Sequence, residues 1–259
     1  SRANDHTMDA SPKATSTRRQ RGVRTGVVND DMIGFHGSSG TFTNLGNTPC
    51  LRPTITVWGM AVQSLYRRYR PQRFSELKGQ EHVVRALKNA VATSREGHAY
   101  LFSGPRGTGK TTTARILAKV LNCERPVDGE PCCECASCLA VQSGNSFDVI
   151  ELDAASNNGV ENIRELIQSA VLGSPGRHKV FILDEVHMLS KGASAALLKT
   201  LEEPPRDVVF VLATTDPQKV ADTIRSRTQH LQFHLLPADV LESHVREVAA
   251  DAGIDIDDD

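Results

Sequence analysis

The chain has 259 residues, of which 39% are hydrophobic and 24% charged, and its formal net charge is −1. This length and composition allow a sizeable buried core, and the charge gives no bulk attraction to nucleic acid or to an anionic membrane. The sequence contains neither the apolar run of about 18 residues that spans a bilayer nor the apolar stretch of a secretory signal. We therefore expect a cytoplasmic protein with no membrane contact, in which any DNA contact is made by local patches.

Residues 1–59 differ in composition from the rest of the chain. They are rich in Ser, Thr, Gly, Asn and Arg and keep no helical or alternating period, which predicts a disordered N-terminal extension. The arginines between Arg18 and Arg24 are either a nucleic-acid arm or a solvated cluster of charge. Because Met60 directly precedes the first regular segment, we expect the working protein to begin near it.

Strands and helices alternate from Ser64 onward. The apolar pattern predicts strands at 99–103, 147–152, 179–184, 208–214 and 229–235, and helices near 83–91, at 109–121, 159–171 and 192–202, and from Pro237 onward. The strands are nearly continuous apolar runs, which is typical of a parallel sheet covered on both faces. The sequence therefore predicts an α/β fold with a central parallel sheet flanked by helices.

A glycine-rich segment after the strand at 99–103 matches the phosphate-binding pattern G-x-x-x-x-G-K-[ST]. Its glycines let backbone N–H groups point at a β-phosphate, Lys110 would reach the β- and γ-oxygens, and the Thr111 hydroxyl would bind Mg²⁺. The alternative is a glycine-rich turn that binds nothing. The predicted nucleotide-binding residues are Gly104, Pro105, Arg106, Gly107, Thr108, Gly109, Lys110, Thr111 and Thr112.

Two acids end the strand at 179–184, at the edge of a parallel sheet where ligands bind. Asp184 could hold Mg²⁺ through water, and Glu185 could accept a proton from the water that attacks a γ-phosphate. The alternative is that the two acids only cap the next helix. The nearby His187 is assigned no role, because a lone histidine at such a place is more often a hydrogen-bonding loop residue.

Two further residues are candidates for the same reaction. Thr214 ends the strand at 208–214, next to the acidic strand, and its hydroxyl could orient the water or sense the γ-phosphate. The alternative is that the hydroxyl of this threonine only satisfies hydrogen-bonding groups at the end of the strand. Arg227 follows a short helix or turn, and an arginine remote from its own nucleotide can complete a neighbour's site, worth about 10³–10⁵ in rate. Its alternative is a solvated arginine.

Four cysteines follow the spacing C-x8-C-x2-C-x2-C. Four thiolates at this spacing suit tetrahedral Zn²⁺, whereas disulfides are disfavoured in a reducing cytosol and the iron–sulfur continuation C-x3-C-P is missing. Cys133 would face away, although it could replace a neighbour by a slip in register, and Cys50 has no assigned role. The predicted zinc ligands are Cys123, Cys132, Cys135 and Cys138.

Residues 64–250 resemble the ATPase domain of the gamma and tau subunits of bacterial DNA polymerase III, the motor of the sliding-clamp loader in the AAA+ superfamily. The cysteine module after the phosphate-loop helix is a trait of this family. The matching segments are 66–71, 79–83, 98–104, 152–156, 184–189, 198–205 and 212–217.

The resemblance implies an organisation and a mode of action. Residues 60–236 would form the AAA+ ATPase domain with a zinc module at 123–138, and residues 237–259 would begin a truncated helical lid domain. Family members bind ATP, Mg²⁺ and Zn²⁺ and work in the bacterial replisome, in a pentameric ring of gamma or tau copies with delta and delta-prime. ATP binding lets the ring hold the beta clamp open on primer–template DNA, and hydrolysis releases it closed.

The resemblance also assigns roles to single residues. It makes Thr214 the first sensor and Arg227 an arginine finger that acts in trans, and it places the segment 67–83 near the adenine. Together with Lys110, Asp184 and Glu185 these are the predicted catalytic residues. A second sensor arginine normally comes from the lid domain. We therefore expect weak ATP binding or turnover by this fragment alone.

Three other classes of protein compete with this interpretation. A delta-prime subunit shares the zinc module but lacks a working phosphate loop, whereas this chain has both Lys110 and Thr111. A branch-migration motor is an AAA+ ATPase without the cysteine module. A scaffold would need neither Lys110 nor Glu185. No polymerase active-site acids are evident, so polymerase activity would come only by association with the holoenzyme.

Overall fold

A computed structural model describes residues 64–93, 95–171 and 176–256 of the chain. These three ranges contain the central sheet and the helices around it. The predictions of a disordered extension over residues 1–59, of a start near Met60 and of no role for Cys50 lie outside the described residues.

Helices and strands alternate as predicted along most of the described chain. The helices are α1 (Leu65–Arg68), α2 (Glu81–Ala92), α3 (Lys110–Asn122), α4 (Ala136–Ser143), α5 (Val160–Val171), α6 (Lys191–Glu202), α7 (Asp222–Arg225) and α8 (Ala238–Ala252). The strands are β1 (Ala99–Ser103), β2 (Val149–Asp153), β3 (Lys179–Asp184), β4 (Val208–Thr214) and β5 (Gln229–Gln232).

The strands form a five-stranded sheet in the order β2-β3-β4-β1-β5. Each neighbouring pair is parallel, which confirms the predicted sheet. The order places β1 between β4 and β5, so the turn that leaves β1 lies beside the end of β4. Parallel strands end at one edge of their sheet, and this edge carries the candidate site.

Two apolar layers cover the two faces of the sheet. Tyr100 and Phe102 of β1 pack with Leu117 of α3 in one layer, whereas Leu101 of β1 packs with Phe210 of β4 in the other. Successive residues of a strand point to opposite faces, so a strand covered on both faces is apolar throughout. This arrangement explains why β1, β3 and β4 are apolar almost without interruption.

The last strand is shorter than the predicted strand at 229–235. β5 ends at Gln232, and the backbone of His234 pairs with a side chain instead of a strand. The amide of Gln80 donates to the carbonyl of His234 at 2.7 Å and accepts from its N–H at 3.2 Å. Because Gln80 satisfies both backbone groups, the chain leaves the sheet before residue 235.

Two other elements differ from their predicted form. β2 begins at Val149 rather than at 147, and the side chain of Phe147 is 85% exposed. The apolar pattern predicts no helix between the cysteines and the second strand, yet α4 occupies Ala136–Ser143 there. α4 buries only Cys138 and Val141, so it lacks the apolar stripe that predicts a helix.

The final helix begins directly after Pro237, as predicted. α8 buries only Ala249, and it is tied to the preceding part of the chain by polar contacts. The hydroxyl of Tyr69 donates to Asp251 at 2.6 Å, and Lys78 pairs with Glu247 at 3.3 Å. Within the described ranges, every helix is too short or too polar to cross a bilayer.

Candidate nucleotide site and cysteine cluster

The ends of three neighbouring strands bring the predicted site residues to one edge of the sheet. Ser103 of β1 is in register with Thr214 of β4, and the N–H of Gly104 donates to the carbonyl of Thr214 at 3.2 Å. β3, which ends in Asp184, pairs with β4 on the other side. The phosphate loop and the strand-end acids therefore lie around the end of β4.

Gly104 and Gly109 of the phosphate loop have backbone conformations that a side chain would strain. Gly104 has a φ of 146°, and a Cβ there would overlap the carbonyl oxygen of Phe233. Gly109 precedes the first residue of α3 with a φ of 93°, in the left-handed region that glycine enters without steric cost. The turn thereby delivers the N-terminus of a 13-residue helix to the loop, and such a helix end favours a bound anion.

The ammonium group of Lys110 lies inside the phosphate loop. Its Nζ donates to the carbonyls of Gly104 and Pro105, both at 2.8 Å. Burial lowers the pKa of Lys110, while the charges of Glu185 and Asp184 oppose that shift. A cation with two replaceable carbonyl partners can exchange them for the oxygens of a polyphosphate.

Thr111 and Asp184 form a pair that suits a hard cation. The hydroxyl of Thr111 donates to Oδ2 of Asp184 at 2.7 Å, and Oδ1 accepts the N–H of Glu185 at 3.0 Å. Hydroxyl and carboxylate oxygens beside a phosphate site are the ligands that Mg²⁺ takes. The residues therefore fit the ion that the phosphate loop implies.

Glu185 lies in a restricted conformation next to this pair. Its φ of 50° and ψ of 45° are left-handed, a conformation that costs a non-glycine residue about 1–3 kcal/mol. Its Oε2 accepts the N–H of Thr215 at 3.1 Å and the hydroxyl of Thr215 at 2.9 Å. The carboxylate is thereby fixed between the ends of β3 and β4.

Two residues to which the sequence pattern assigns no role join this group. Nδ1 of His187 lies 3.0 Å from the hydroxyl oxygen of the fully buried Thr214 and 3.3 Å from Oε2 of Glu185. Thr215 bonds Glu185 directly. Their positions in the sequence are the signal that could indicate a role in the site. Each residue lies within three residues of the end of a strand, at the edge of the sheet where ligands bind.

Arg227 is not brought to this cluster. Its guanidinium pairs with Glu202 at the end of α6 at 2.7 Å and donates to the carbonyl of Thr223 at 2.9 Å. The side chain is 37% exposed. The guanidinium is therefore held near the end of α6, and the role of Arg227 in trans stays a prediction.

A cavity of about 520 Å³ adjoins the phosphate-loop helix. Its wall includes Arg70, Pro71, Gln72, Thr112 and Lys119. Nε of Arg70 donates to the hydroxyl of Thr112 at 3.1 Å, and burial is the main cause that lowers the pKa of Arg70. The volume falls within the range of small-ligand pockets, and the basic wall suits an anionic or polar ligand.

The four predicted zinc ligands converge in the structure. The Sγ atoms of Cys123, Cys132, Cys135 and Cys138 all lie within 4.8 Å of one another. A tetrahedral Zn²⁺ with Zn–S bonds of about 2.3 Å needs sulfur atoms about 3.8 Å apart, and the Sγ atoms of Cys132 and Cys138 are 4.0 Å apart. The cluster therefore fits zinc.

The thiols of the cluster differ in how easily they ionise. The backbone N–H of Glu134 and that of Cys135 lower the pKa of Cys132 to about 6. Burial raises the pKa of Cys138. Cys133 lies outside the cluster as predicted, because its left-handed φ of 63° turns its Sγ toward the carbonyl of Gln72.

The phosphate loop between β1 and α3, the acids that end β3 and the hydroxyl that ends β4 define the AAA+ class of nucleotide-binding proteins. The same fold occurs among solved structures. The Thermotoga maritima RuvB Holliday junction branch migration motor is similar with a TM-score of 0.54 and 21% identity, over 73% of this chain and 57% of that one. At this identity the likeness shows the fold alone.

A family model identifies the family of this chain, and the relatives of higher identity agree with it. The family model described as "DNA polymerase III, delta subunit" matches residues 79–237. DNA polymerase III subunit tau of Bacillus subtilis is 53% identical over 192 residues, and the gamma/tau subunit of Mycobacterium tuberculosis H37Rv is 48% identical over 198 residues. The chain belongs to the family of DNA polymerase III subunits that this model describes, and its relatives of about 50% identity are named tau or gamma/tau.

These alignments cover most of this chain but a smaller part of the relatives. They take in 73% and 75% of this chain, and 34% of each relative. The Escherichia coli K12 subunit tau is 53% identical over 70% of this chain and 28% of its own length. The chain therefore spans about a third of the curated relatives that it matches.

Proposed function

We propose that this chain is an ATP-hydrolysing motor subunit of the bacterial sliding-clamp loader. It would couple ATP binding and hydrolysis to the loading of the beta clamp on primed DNA during replication, in the replisome of the bacterial cytoplasm. The observation that carries the proposal is the contact of Thr111 with Asp184 beside Lys110 and Glu185. This group combines a cation for the phosphates, ligands for a metal ion and a carboxylate for water.

Each residue of this group has a distinct task. Lys110 exchanges its two carbonyl partners for β- and γ-phosphate oxygens, and Thr111 and Asp184 hold Mg²⁺ directly or through water. Bound Mg²⁺ would supply positive charge against the charge that develops on the phosphate oxygens. Glu185 accepts a proton from the attacking water, and its bonds to Thr215 aim the carboxylate.

Thr214 and Arg227 would extend the site beyond one subunit. The buried hydroxyl of Thr214 would sense the γ-phosphate from the end of β4. Arg227 would leave its partner Glu202 and reach the nucleotide of a neighbouring subunit in a pentameric ring. We propose that the other members of this ring are delta, delta-prime and further gamma/tau copies, acting on primer–template DNA.

The domain organisation belongs to the same proposal. Residues 60–236 would be the ATPase domain, with the cysteine module at 123–138 holding Zn²⁺, and residues 237–259 would begin the helical lid domain. Zinc would fasten the loop between α3 and β2, with no part in the reaction. Polymerase activity would belong to the holoenzyme with which the subunit associates.

Two other assignments are less well supported. A delta-prime-like subunit is favoured by the name of the matching family model. The presence of both Lys110, inside the loop, and Thr111, bonded to Asp184, supports a working phosphate loop instead. A branch-migration motor shares the fold, but the four-cysteine cluster and the relatives named gamma/tau oppose it.

The test is an ATPase assay of the chain assembled with delta and delta-prime, with and without beta clamp and primed DNA. Wild type should hydrolyse ATP faster when clamp and DNA are present. Glu185→Gln should bind ATP with Mg²⁺ and hydrolyse it at least 100-fold more slowly, because general-base catalysis contributes about 10²–10⁴. If the wild-type assembly retains no ATP with Mg²⁺, the proposal is wrong.

Mixed assemblies test the role of Arg227. A ring in which one subunit carries Arg227→Ala should lose hydrolysis at the site of its neighbour, while its own site remains competent. Arg225→Ala is a matched control, because Arg225 pairs with Asp222 of its own helix and donates to the carbonyl of Pro217, which precedes that helix. Equal losses for both variants would contradict a role in trans.

A further inference from the structure

We infer that Glu130, a residue of the cysteine module, positions the backbone of residues 70–75 and so sets the affinity for nucleotide, because residues 70–72 of this segment line the cavity beside the phosphate-loop helix. The inference rests on the proposed function, because it concerns the same site. It gives the module a task beyond its own stability, namely to hold one wall of the cavity. Glu130 is a positioning residue, since it acts through a backbone segment.

The carboxylate of Glu130 uses both oxygens to hold two consecutive residues. Oε2 accepts the N–H of Phe74 at 2.8 Å, and Oε1 accepts the N–H of Ser75 at 2.9 Å. Lys88 of α2 pairs with the same carboxylate at 2.7 Å. The side chain is only 13% exposed, and hydrogen bonds to a shielded carboxylate are among the strongest that backbone amides make.

The backbone around Glu130 is itself fixed. Val127 and Glu130 exchange two backbone hydrogen bonds, at 3.1 and 2.9 Å, which close a tight turn between the first two cysteines of the cluster. Cys123 and Cys132 flank this turn and belong to the predicted zinc site. The carboxylate therefore extends from a loop that the cluster closes.

Two more contacts join the segment to the module. Nη2 of Arg73 donates to the carbonyl of Cys132 at 3.1 Å, and Sγ of Cys133 lies 3.6 Å from the carbonyl of Gln72. Four consecutive residues, 72–75, thus touch either Glu130 or the cysteines. Glu130 and the cysteines therefore hold a longer stretch of backbone than the first residues of the short 3₁₀ helix Phe74–Glu76.

The other side of the segment lies against the nucleotide site. Nε of Arg70 donates to Thr112, which directly follows the metal-binding candidate Thr111. The side chain of Gln72 donates to the carbonyl of Arg70 at 2.8 Å and accepts from Lys119 of the phosphate-loop helix. A shift of the segment at 74–75 would therefore move the cavity wall at 70–72.

The experiment is a titration with a fluorescent ADP analogue and Mg²⁺, using the full chain. Glu130→Ala should raise Kd about tenfold, equivalent to about 1.4 kcal/mol of binding free energy. Glu130→Gln should give a smaller rise, because an amide oxygen can keep one of the two N–H bonds. Glu134→Ala is the matched control, since Glu134 in the same loop is 79% exposed and pairs only loosely with Arg125, at 4.0 Å.

Two further measurements separate positioning from general loss of stability. Hydrogen exchange of the Phe74 and Ser75 amides should accelerate in Glu130→Ala, while the amides of β1 keep their protection. In the assembled complex, Glu130→Ala should raise KM for ATP and leave kcat at saturation unchanged. If Glu130→Ala does not fold, Arg73→Ala removes a different contact of the same segment and should raise Kd by a smaller factor.

The outcomes distinguish this inference from the proposed function. If wild type binds no nucleotide even when it is assembled with delta and delta-prime, the proposed function itself is wrong. If wild type binds but Glu130→Ala has the same Kd, or Glu134→Ala weakens binding equally, the inference is overturned and the proposed function stands. A loss of affinity with unchanged exchange at Phe74 and Ser75 also overturns it.

Discussion

Thr215 holds the carboxylate of Glu185 with both its backbone N–H, at 3.1 Å, and its hydroxyl, at 2.9 Å. The two residues follow the ends of neighbouring parallel strands, β3 and β4. Glu185 has a left-handed backbone, which turns its side chain toward Thr215. The position of the proposed general base is thus coupled to the strand that carries Thr214.

Replacing Thr215 by valine should slow hydrolysis without weakening binding. Thr215→Val removes the hydroxyl and keeps both the N–H bond and the side-chain shape. We expect kcat to fall about 3- to 10-fold, because a general base must be held within hydrogen-bond reach of its proton. The measurement is steady-state ATP hydrolysis by the assembled complex, with nucleotide Kd determined separately.

The control for this variant is Thr93→Val. Thr93 donates its hydroxyl to the carbonyl of Asn89 at the end of α2, away from the site. This variant should hydrolyse ATP like wild type. A fall in kcat for Thr93→Val, or an unchanged kcat for Thr215→Val, would show that the Thr215 hydroxyl does not position Glu185.

Lys110→Met should abolish stabilisation by nucleotide. A ligand that binds only the folded state raises stability by RT ln(1 + [L]/Kd), which is about 2.7 kcal/mol at 100 times Kd. Wild type should therefore melt several degrees higher with ATP and Mg²⁺, and Lys110→Met should show almost no shift. The measurement is thermal unfolding with and without nucleotide.

Lys199→Met is the matched control for the lysine variant. Lys199 is exposed in the last turn of α6, so its loss should leave the shift caused by nucleotide intact. If Lys110→Met is stabilised as much as wild type, the ammonium inside the loop does not hold phosphate.

Substitution of two adjacent cysteines, Cys132 and Cys133, should have different effects on zinc retention. Cys132→Ser removes a ligand from the converging cluster and should lower zinc content well below one ion per chain, whereas Cys133→Ser should retain the metal. Cys133 points toward Gln72. Zinc released to a chromogenic chelator after denaturation measures both, and equal loss from both variants would contradict the ligand assignment.

The retained metal should also depend on pH. Zinc binds thiolates, so protons compete with it. Burial raises the pKa of Cys123 and of Cys138, and backbone N–H groups lower the pKa of Cys132 to about 6. Apparent zinc affinity should therefore fall steadily from pH 8 to below pH 6, as measured by competition with a chelator. An affinity independent of pH would exclude thiolate ligation.

Much of the fold could be predicted from sequence because the sheet is covered on both faces. β1, β3 and β4 were predicted with their observed bounds, since only a strand in that environment is apolar at every position. The end of β5 could not be predicted, because it depends on the side chain of Gln80, 154 residues away from its partner His234. α4 was missed because it buries only Cys138 and Val141 and so lacks an apolar stripe.

Some residues of the candidate site could likewise be predicted from the sequence, and others could not. Lys110, Asp184 and the four cysteines could be recognised because their chemistry follows from local spacing after a strand or within a loop. Thr215 and His187 could not, because their contacts to Glu185 depend on the left-handed backbone at that residue. Glu130 gave no sign in the sequence, because its partners Phe74 and Ser75 are backbone amides more than 50 residues away.

Truncation of a core aromatic should be far more costly than truncation of an exposed one. Phe210 of β4 is fully buried and stacks on Phe181 of β3 with ring centroids 5.3 Å apart, so Phe210→Ala should lower the free energy of unfolding by about 3–5 kcal/mol. Phe147→Ala is the control, because that ring is 85% exposed and its loss should change stability by less than about 0.5 kcal/mol. Urea unfolding followed by circular dichroism measures both. Similar losses for the two variants would mean that the pairing of β3 with β4 does not form the core.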